Sequence, residues 1–290
     1  MSLPVCPLCD SASTLAIQGT VEPHAFFGAA DHVYAIADGS TARLDVLRCT
    51  RCGHGWSPLG SDIDVLRWYA DAPADRTYLA EEHGRRMAAA GVLRHLERFH
   101  APAMLLDVGA GPGLLVSEAK AMGWNAQGLE PAAWAVAESK ARGLGDAVRQ
   151  GDTATLATLP TQSVDALTAI DIVEHLRDPQ QFLSDCARVL RTGGAMAVVT
   201  PRYDSLLSKL LGAHWYCVIP AHLHYFTKRS LCDALRKAGL EPLSVRHHVR
   251  SFSIGYLLAR LLRRPYREKS LSWTIPVPLF DTLEIVAKKA

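Results

Sequence analysis

Residues 105–113 read Leu-Leu-Asp-Val-Gly-Ala-Gly-Pro-Gly, with a helix-like stretch opening at Leu114. Apolar residues that run into closely spaced glycines have the pattern of a buried parallel strand ending in a tight loop. Gly109, Gly111 and Gly113 permit backbone angles that other residues avoid, and they let a ligand come close to the main chain. Asp107 is an acid inside the leading strand itself.

Outward from this loop, strands and helices alternate. Helices are predicted over 114–122, 132–142, 179–190 and 228–238, the third stopped by Gly193-Gly194. Strands are predicted over 104–108, 125–129, 147–150, 164–170, 195–200, 242–248 and 283–288. Such alternation means a parallel sheet with helices on both faces. Upstream, residues 62–100 read as helical up to Pro102. Val65, Leu66, Trp68 and Tyr69 form one apolar patch, and Met87, Val92, Leu93, Leu96 and Phe99 recur at helical spacing. In sheets of this class ligands sit at the carboxyl ends of strands. Those ends are Gly109–Gly113, Glu130, Gly151-Asp152 and Asp171.

A glycine loop alone also suits a dinucleotide enzyme. The spacing here is Gly-x-Gly-x-Gly, without the extra residue of the dinucleotide fingerprint. Glu130 can accept both hydroxyls of a ribose, and Asp152 is placed for an adenine amino group. A ligand with ribose and adenine but no pyrophosphate needs these contacts. Over about residues 104–245 the sequence resembles class I S-adenosylmethionine-dependent methyltransferases. Leu105–Gly113 looks like their first motif, Glu130-Pro131 like the ribose acid, and Gly151-Asp152-Thr153 like the adenine-side contact. Asp171–Pro179 and Val189–Gly194 are similar to the segments after the fourth strand and before the fifth. The resemblance implies a Rossmann-like, seven-stranded, mostly parallel sheet. It also implies S-adenosylmethionine held by Asp107, Gly109, Ala110, Gly111, Gly113, Glu130, Pro131, Asp152, Thr153 and Asp171. A fold of this class that has lost its cofactor is the non-catalytic alternative.

Cys6/Cys9 and Cys49/Cys52 are two Cys-x2-Cys pairs. Four thiolates complete a tetrahedral, closed zinc site, which is structural rather than catalytic. Residues 1–60 are therefore expected to be a zinc-ribbon module, 61–103 a helical connector or lid, and 104–290 the Rossmann-like domain, with an acceptor-binding insertion at about 201–227. Cys186 and Cys232 read as core packing. The combination resembles bacterial methyltransferases with an N-terminal zinc module, including deoxysugar C-methyltransferases. The matching residues are Cys49–Gly53, Pro58 and Trp68-Tyr69. The sugar enzymes carry a further Rossmann-like domain, and none is expected within residues 1–290.

Methyl transfer needs in-line alignment and, for a hydroxyl or activated carbon, proton removal. Histidine suits that task at neutral pH, and the candidates are His222, His175 and His224. In the sugar enzymes a Glu-His pair precedes Tyr-Phe. Here His222 and Tyr225-Phe226 fit, while Ala221 stands at the Glu position. Trp215, Tyr216, Tyr69 and Tyr78 are candidates to line an acceptor pocket. Asp171 and Glu174 would serve a metal-dependent O-methyltransferase, with only Asp178 and Asp204 as further acids nearby.

Hydrophobic residues make up 49% of the 290 and charged residues 21%, so a sizeable core is expected. A net charge of +2 gives no reason to expect nucleic acid as a partner. No apolar run approaches the roughly 18 residues of a membrane span, and no export signal opens the chain. The expectation is a cytoplasmic protein acting on a small molecule, with a homodimer left open. An RNA methyltransferase and a zinc-dependent scaffold are the rivals. Residues 256–269 segregate apolar and basic residues, as an amphipathic helix up to Pro265 would.

Overall fold

The structure, a computed structural model, describes residues 5–11, 14–20, 43–58, 65–71, 73–262 and 273–290. Residues 263–269 of the basic stretch, 59–64 of the connector and 21–42 between the cysteine pairs lie outside the described residues, as do the side chains of Leu66 and Trp68.

The strands of the main sheet are β4 (Met104–Val108), β5 (Asn125–Glu130), β6 (Val148–Gln150), β7 (Val164–Ile170), β8 (Leu190–Pro201), β10 (Leu240–His247) and β13 (Thr282–Lys289). They lie in the order β10-β13-β8-β7-β4-β5-β6. β4 pairs in parallel with both β5 and β7, β5 with β6, and β7 with β8; β13 runs antiparallel to β8 and β10. The expected seven-stranded, mostly parallel sheet is present. The chain turns outward in both directions from β4, so the crevice between β4 and β7 is the switch point where such sheets take ligands.

Helices α4 (Leu114–Ala121), α5 (Ala133–Ser139), α6 (Thr153–Thr158), α7 (Pro179–Val189) and α9 (Lys228–Lys237) follow the strands as the periodicity predicts. α5 is shorter than expected, because a wider turn over Lys140–Leu144 replaces its last residues, with Gly143 at φ 82°. Gly193-Gly194 interrupts β8 near its start: the strand extends from Leu190, but its pairing with β7 jumps from Leu190 to Ala195 and its pairing with β13 begins at Ala195, with Gly193 at φ 79°. Upstream, the helical region divides into α1 (Val65–Asp71), α2 (Arg76–Ala80) and α3 (Glu82–Leu96). Val92, Leu93 and Leu96 are fully buried, while Met87 is exposed. Cys186 and Cys232 are buried in the core, as expected.

A second sheet joins β1 (Thr14–Thr20), β2 (Arg43–Cys49) and β3 (Gly55–Trp56) to β9 (His224–Tyr225). β9 lies downstream of α8 (Leu206–Leu211), so the N-terminal cysteine region and the segment after β8 share one sheet. β11 (Arg250–Ser253) and β12 (Thr274–Val277) form a hairpin-like pair, with α10 (Ile254–Leu261) between them. Among the described residues no helix is long and apolar enough to cross a membrane.

Candidate cofactor and acceptor site

The loop after β4 is held in place by packing that only glycine allows. Gly109 has φ 75°, and a Cβ there would come within 2.2 Å of Ile172 Cδ1. Gly128, in β5, is needed for the same loop: a Cβ on it would meet Ala110 Cβ at 2.5 Å. The loop spends its own amides. Gly109 N–H and Ala110 N–H both donate to Leu129 O, Gly113 N–H donates to Ala110 O, and Pro112 has none. Gly111 N–H donates to Glu130 Oε2 at 2.7 Å. A loop with no spare N–H between 109 and 113 is poorly suited to a pyrophosphate, which dinucleotide loops hold with such amides. It suits a ligand without phosphate.

Acids surround the crevice. Asp107 is buried opposite Gly128 and Thr168, and accepts from Thr168 Oγ1 at 2.6 Å. Burial, with repulsion from Glu130, pushes its carboxyl up to about 7. Glu130 ends β5 and accepts from Gly111 N–H and from Ala132 N–H at 2.8 Å. Each oxygen retains a second lone pair for a hydroxyl. Pro131 follows it, and the Pro131 carbonyl accepts from Gln150 Nε2. Asp152 caps α6, its Oδ1 accepting from Thr155 N–H and hydroxyl, so that oxygen is committed to the helix; Thr153 is the first residue of α6. Asp171, with φ 54°, accepts from Arg250 Nη2 at 2.8 Å. These residues fit a cationic adenosyl ligand: backbone that can be closely approached, a carboxylate with free lone pairs at the second strand, and negative charge around the centre.

Tyr78 roofs the loop. Its hydroxyl would lie 3.3 Å from a Cβ on Gly111, and Arg85 stacks over its ring at 3.7 Å. Burial raises its phenol pKa, and the field of Asp107, Glu130 and Asp171 adds to that. Tyr69 stands edge-on to His175, ring centres 5.3 Å apart. Trp215 and Tyr216 both donate to Asp281, and they pack in an apolar cluster with Cys217 and Tyr225, whose carbonyl and ring respectively reach His222.

Two of the three histidines come together. His175 follows Glu174 in a single 3-10 turn, Val173–His175, and its ring centre is 4.7 Å from that of His222. His175 Nδ1 bonds to Ala221 O at 2.8 Å and His222 Nδ1 to Cys217 O at 2.7 Å. A carbonyl only accepts, so each Nδ1 carries the proton and each Nε2 keeps a lone pair. Burial holds both imidazoles neutral, lowering His175 and lowering His222 further with help from its neighbour. Glu174 stands beside them, accepting from Thr200 Oγ1 at 2.9 Å. Burial first, then the charge of Asp171, pushes it up to about 8. His224 is not part of this group. It bonds to His54 Nε2 through its own Nδ1 at 3.0 Å, and burial lowers it to about 4.

Sequence reasoning missed Thr168, Thr200, Arg85 and Arg250 as partners. Their separations in sequence carry no local signal. Glu174 was considered only with Asp171, although Asp171 is paired with Arg250.

The four N-terminal cysteines are free thiols that meet. Cys6 and Cys52 sulfurs are 3.7 Å apart, Cys9 and Cys49 3.6 Å, and all four lie within 4.8 Å. Gly53, at φ 76°, and the Gly53 N–H to Cys49 O bond close one knuckle; Asp10 N–H to Cys6 O closes the other. The Cys52 thiol pushes Cys6 down to about 5 and is itself pushed up.

Residues 80–245 match the profile of the methyltransferase domain family. A ubiquinone biosynthesis O-methyltransferase of Cereibacter sphaeroides is 29% identical over 181 residues, covering 55% of this chain and 73% of that protein. One from Marinobacter nauticus is 32% identical over 149 residues, covering 47% and 63%. Among solved structures, a Thermotoga maritima S-adenosylmethionine-dependent methyltransferase, a possible histamine N-methyltransferase, aligns with TM-score 0.52 at 19% identity, covering 74% of this chain and 93% of that one. An Archaeoglobus fulgidus S-adenosylmethionine-dependent methyltransferase aligns with TM-score 0.52 at 21% identity, covering 74% and 100%.

Proposed function

The chain belongs to the methyltransferase domain family, as a class I S-adenosylmethionine-dependent enzyme, and we propose that it methylates a hydroxyl of a small molecule. The observation that carries this reading is the pair of bare, neutral Nε2 atoms on His175 and His222 beside the switch-point crevice. S-adenosylmethionine would be held by Glu130 at its ribose, by the 109–113 backbone along its length, and by Asp152 and Thr153 on the adenine side. Asp107 and Asp171 supply negative charge for its sulfonium. When bound, the cofactor supplies an electrophilic methyl group, and its thioether leaves neutral. The protein aligns the acceptor and accepts its proton, with His222 and then His175 as candidates. His224, engaged with His54, is the weaker choice. Ala221, at the position of the sugar enzymes' Glu, offers its carbonyl to His175; the tautomer is fixed by backbone where a carboxylate could have done it.

A nucleotide-linked sugar, a polysaccharide precursor or a secondary metabolite is the proposed acceptor class, in a cytoplasmic enzyme. The O-methyltransferase names of the relatives support oxygen as the target. Residues 1–60 are proposed as a zinc module, 61–103 as connector and lid, and 104–290 as the catalytic domain with its insertion at 201–227. Zinc on Cys6, Cys9, Cys49 and Cys52 fits the geometry: at Zn–S of about 2.3 Å a tetrahedron has edges of about 3.8 Å. Calorimetry with S-adenosylmethionine, then an acceptor screen that reads S-adenosylhomocysteine release, tests the whole reading. Glu130→Ala should weaken cofactor binding about 10- to 100-fold, since it removes charge-assisted bonds of about 1.5–3 kcal/mol. His222→Ala should lower kcat by about 10²- to 10⁴-fold and leave cofactor affinity unchanged. Full turnover in both His222→Ala and His175→Ala would remove the histidines from the reaction.

A further inference from the structure

Glu174, His175 and His222 form a second set of ligand-type atoms, all within 4.8 Å of one another and all buried. Glu174 Oε1 has no hydrogen-bond partner among the described residues, and the residue is only 1% exposed. A carboxylate oxygen so deep and unpaired is costly unless something binds it. Its other oxygen is fixed by Thr200 Oγ1. Both rings are fixed through Nδ1 to backbone carbonyls, Ala221 O and Cys217 O, which turns both Nε2 lone pairs to the ligand role. Anchoring the far nitrogen in this way is how proteins orient metal-ligating histidines.

Two imidazoles and one carboxylate favour a first-row divalent transition ion over Mg²⁺ or Ca²⁺, which take oxygen. Three protein donors leave coordination positions open. An ion would draw the ligand atoms to about 3.4 Å apart, for bonds of about 2.1 Å in a tetrahedron. We infer that Glu174, His175 and His222 bind one divalent transition-metal ion, of the zinc or ferrous class, whose open positions coordinate oxygen atoms of the acceptor. The second half of this rests on the proposed acceptor site. With the ion bound, both Nε2 lone pairs are taken by coordination, so the proposed histidine base acts only in the ion-free enzyme.

The test is cobalt loading of the full chain, followed by dialysis, metal analysis and absorption spectroscopy. One equivalent per chain should show only weak ligand-field bands, separate from the thiolate-to-cobalt charge transfer of a four-cysteine site. Glu174→Gln and His175→Gln should each lose the non-thiolate equivalent and keep the thiolate bands, which report an intact fold. Should those variants fail to fold, Thr200→Val keeps every ligand and should bind the non-thiolate equivalent about tenfold more weakly. No non-thiolate equivalent in the wild type, its full retention in the variants, unchanged affinity in Thr200→Val, or its displacement by excess Mg²⁺ would each overturn the proposal. Calorimetry with S-adenosylmethionine on the same samples separates the two readings: a lost metal with retained cofactor binding leaves the methyltransferase reading standing.

Discussion

Asp107 shows how one side chain links packing to function. It is buried beneath the glycine loop, between β5 and β7, with Thr168 Oγ1 as its hydrogen-bond donor. Its carboxyl is pushed up to about 7 against an ordinary 3.8. The folded state therefore holds a proton that the unfolded state releases between about pH 4 and pH 7, and this residue's contribution to stability falls as pH rises through that window. A cationic cofactor prefers the ionised form. Its affinity should rise roughly tenfold from about pH 6 to about pH 8 as Asp107 ionises. Calorimetric titrations across that range check it. In Asp107→Asn the affinity should be low and flat; a wild-type slope surviving there would assign the effect elsewhere. Asp107 was legible in the sequence because it interrupts an apolar strand. Thr168, sixty-one positions away, was not.

At the level of elements, the strand–loop–helix unit from β4 to α4 was read correctly because its signals are local: an apolar run, three glycines, and a helical period. What the glycines accommodate was not legible. Gly109 makes room for Ile172, and Gly128 makes room for Ala110, so β5 and the loop after β7 shape the loop after β4. Gly128→Ala should destabilise the protein by about 1–3 kcal/mol, as overpacking does, and should weaken S-adenosylmethionine binding by shifting the loop. Thermal melts and calorimetry together check this; an unchanged Tm would mean that the loop is not pressed against β5. The glycine pair at 193–194 acts as its local preference suggests: Arg191–Gly194 fall between the paired residues Leu190 and Ala195, Gly193 has φ 79°, and the continuous ladder of β8 begins at Ala195.

Across the whole molecule, the four-stranded sheet makes the cysteine cluster and the histidine segment neighbours. β3 pairs with β9, Ser57 N–H donates to Leu223 O, and Thr227 Oγ1 reaches Cys52 O. His54 and His224 bond across the same seam. Losing a proposed zinc ion should therefore loosen the acceptor side before the cofactor side. In Cys49→Ser, hydrogen exchange should speed up first at 46–56 and 222–227, while residues 104–130 stay protected. S-adenosylmethionine affinity should change less than about threefold. Equal loss of protection in both regions would show that the two sides unfold as one unit.

The sequence alone determined the alternation of elements, the glycine loop with Asp107 and Glu130, and the cysteine pairs. Each is written in neighbours a few residues apart, where periodicity, turn chemistry and ligand spacing act directly. The tertiary structure decided what meets what. It brought His222 to His175 and Glu174 and left His224 with His54. It gave Asp171 to Arg250, and it tied Trp215 and Tyr216 to Asp281. Such contacts are chosen by burial and by the need of every buried polar group for a partner, and those partners come from distant parts of the chain.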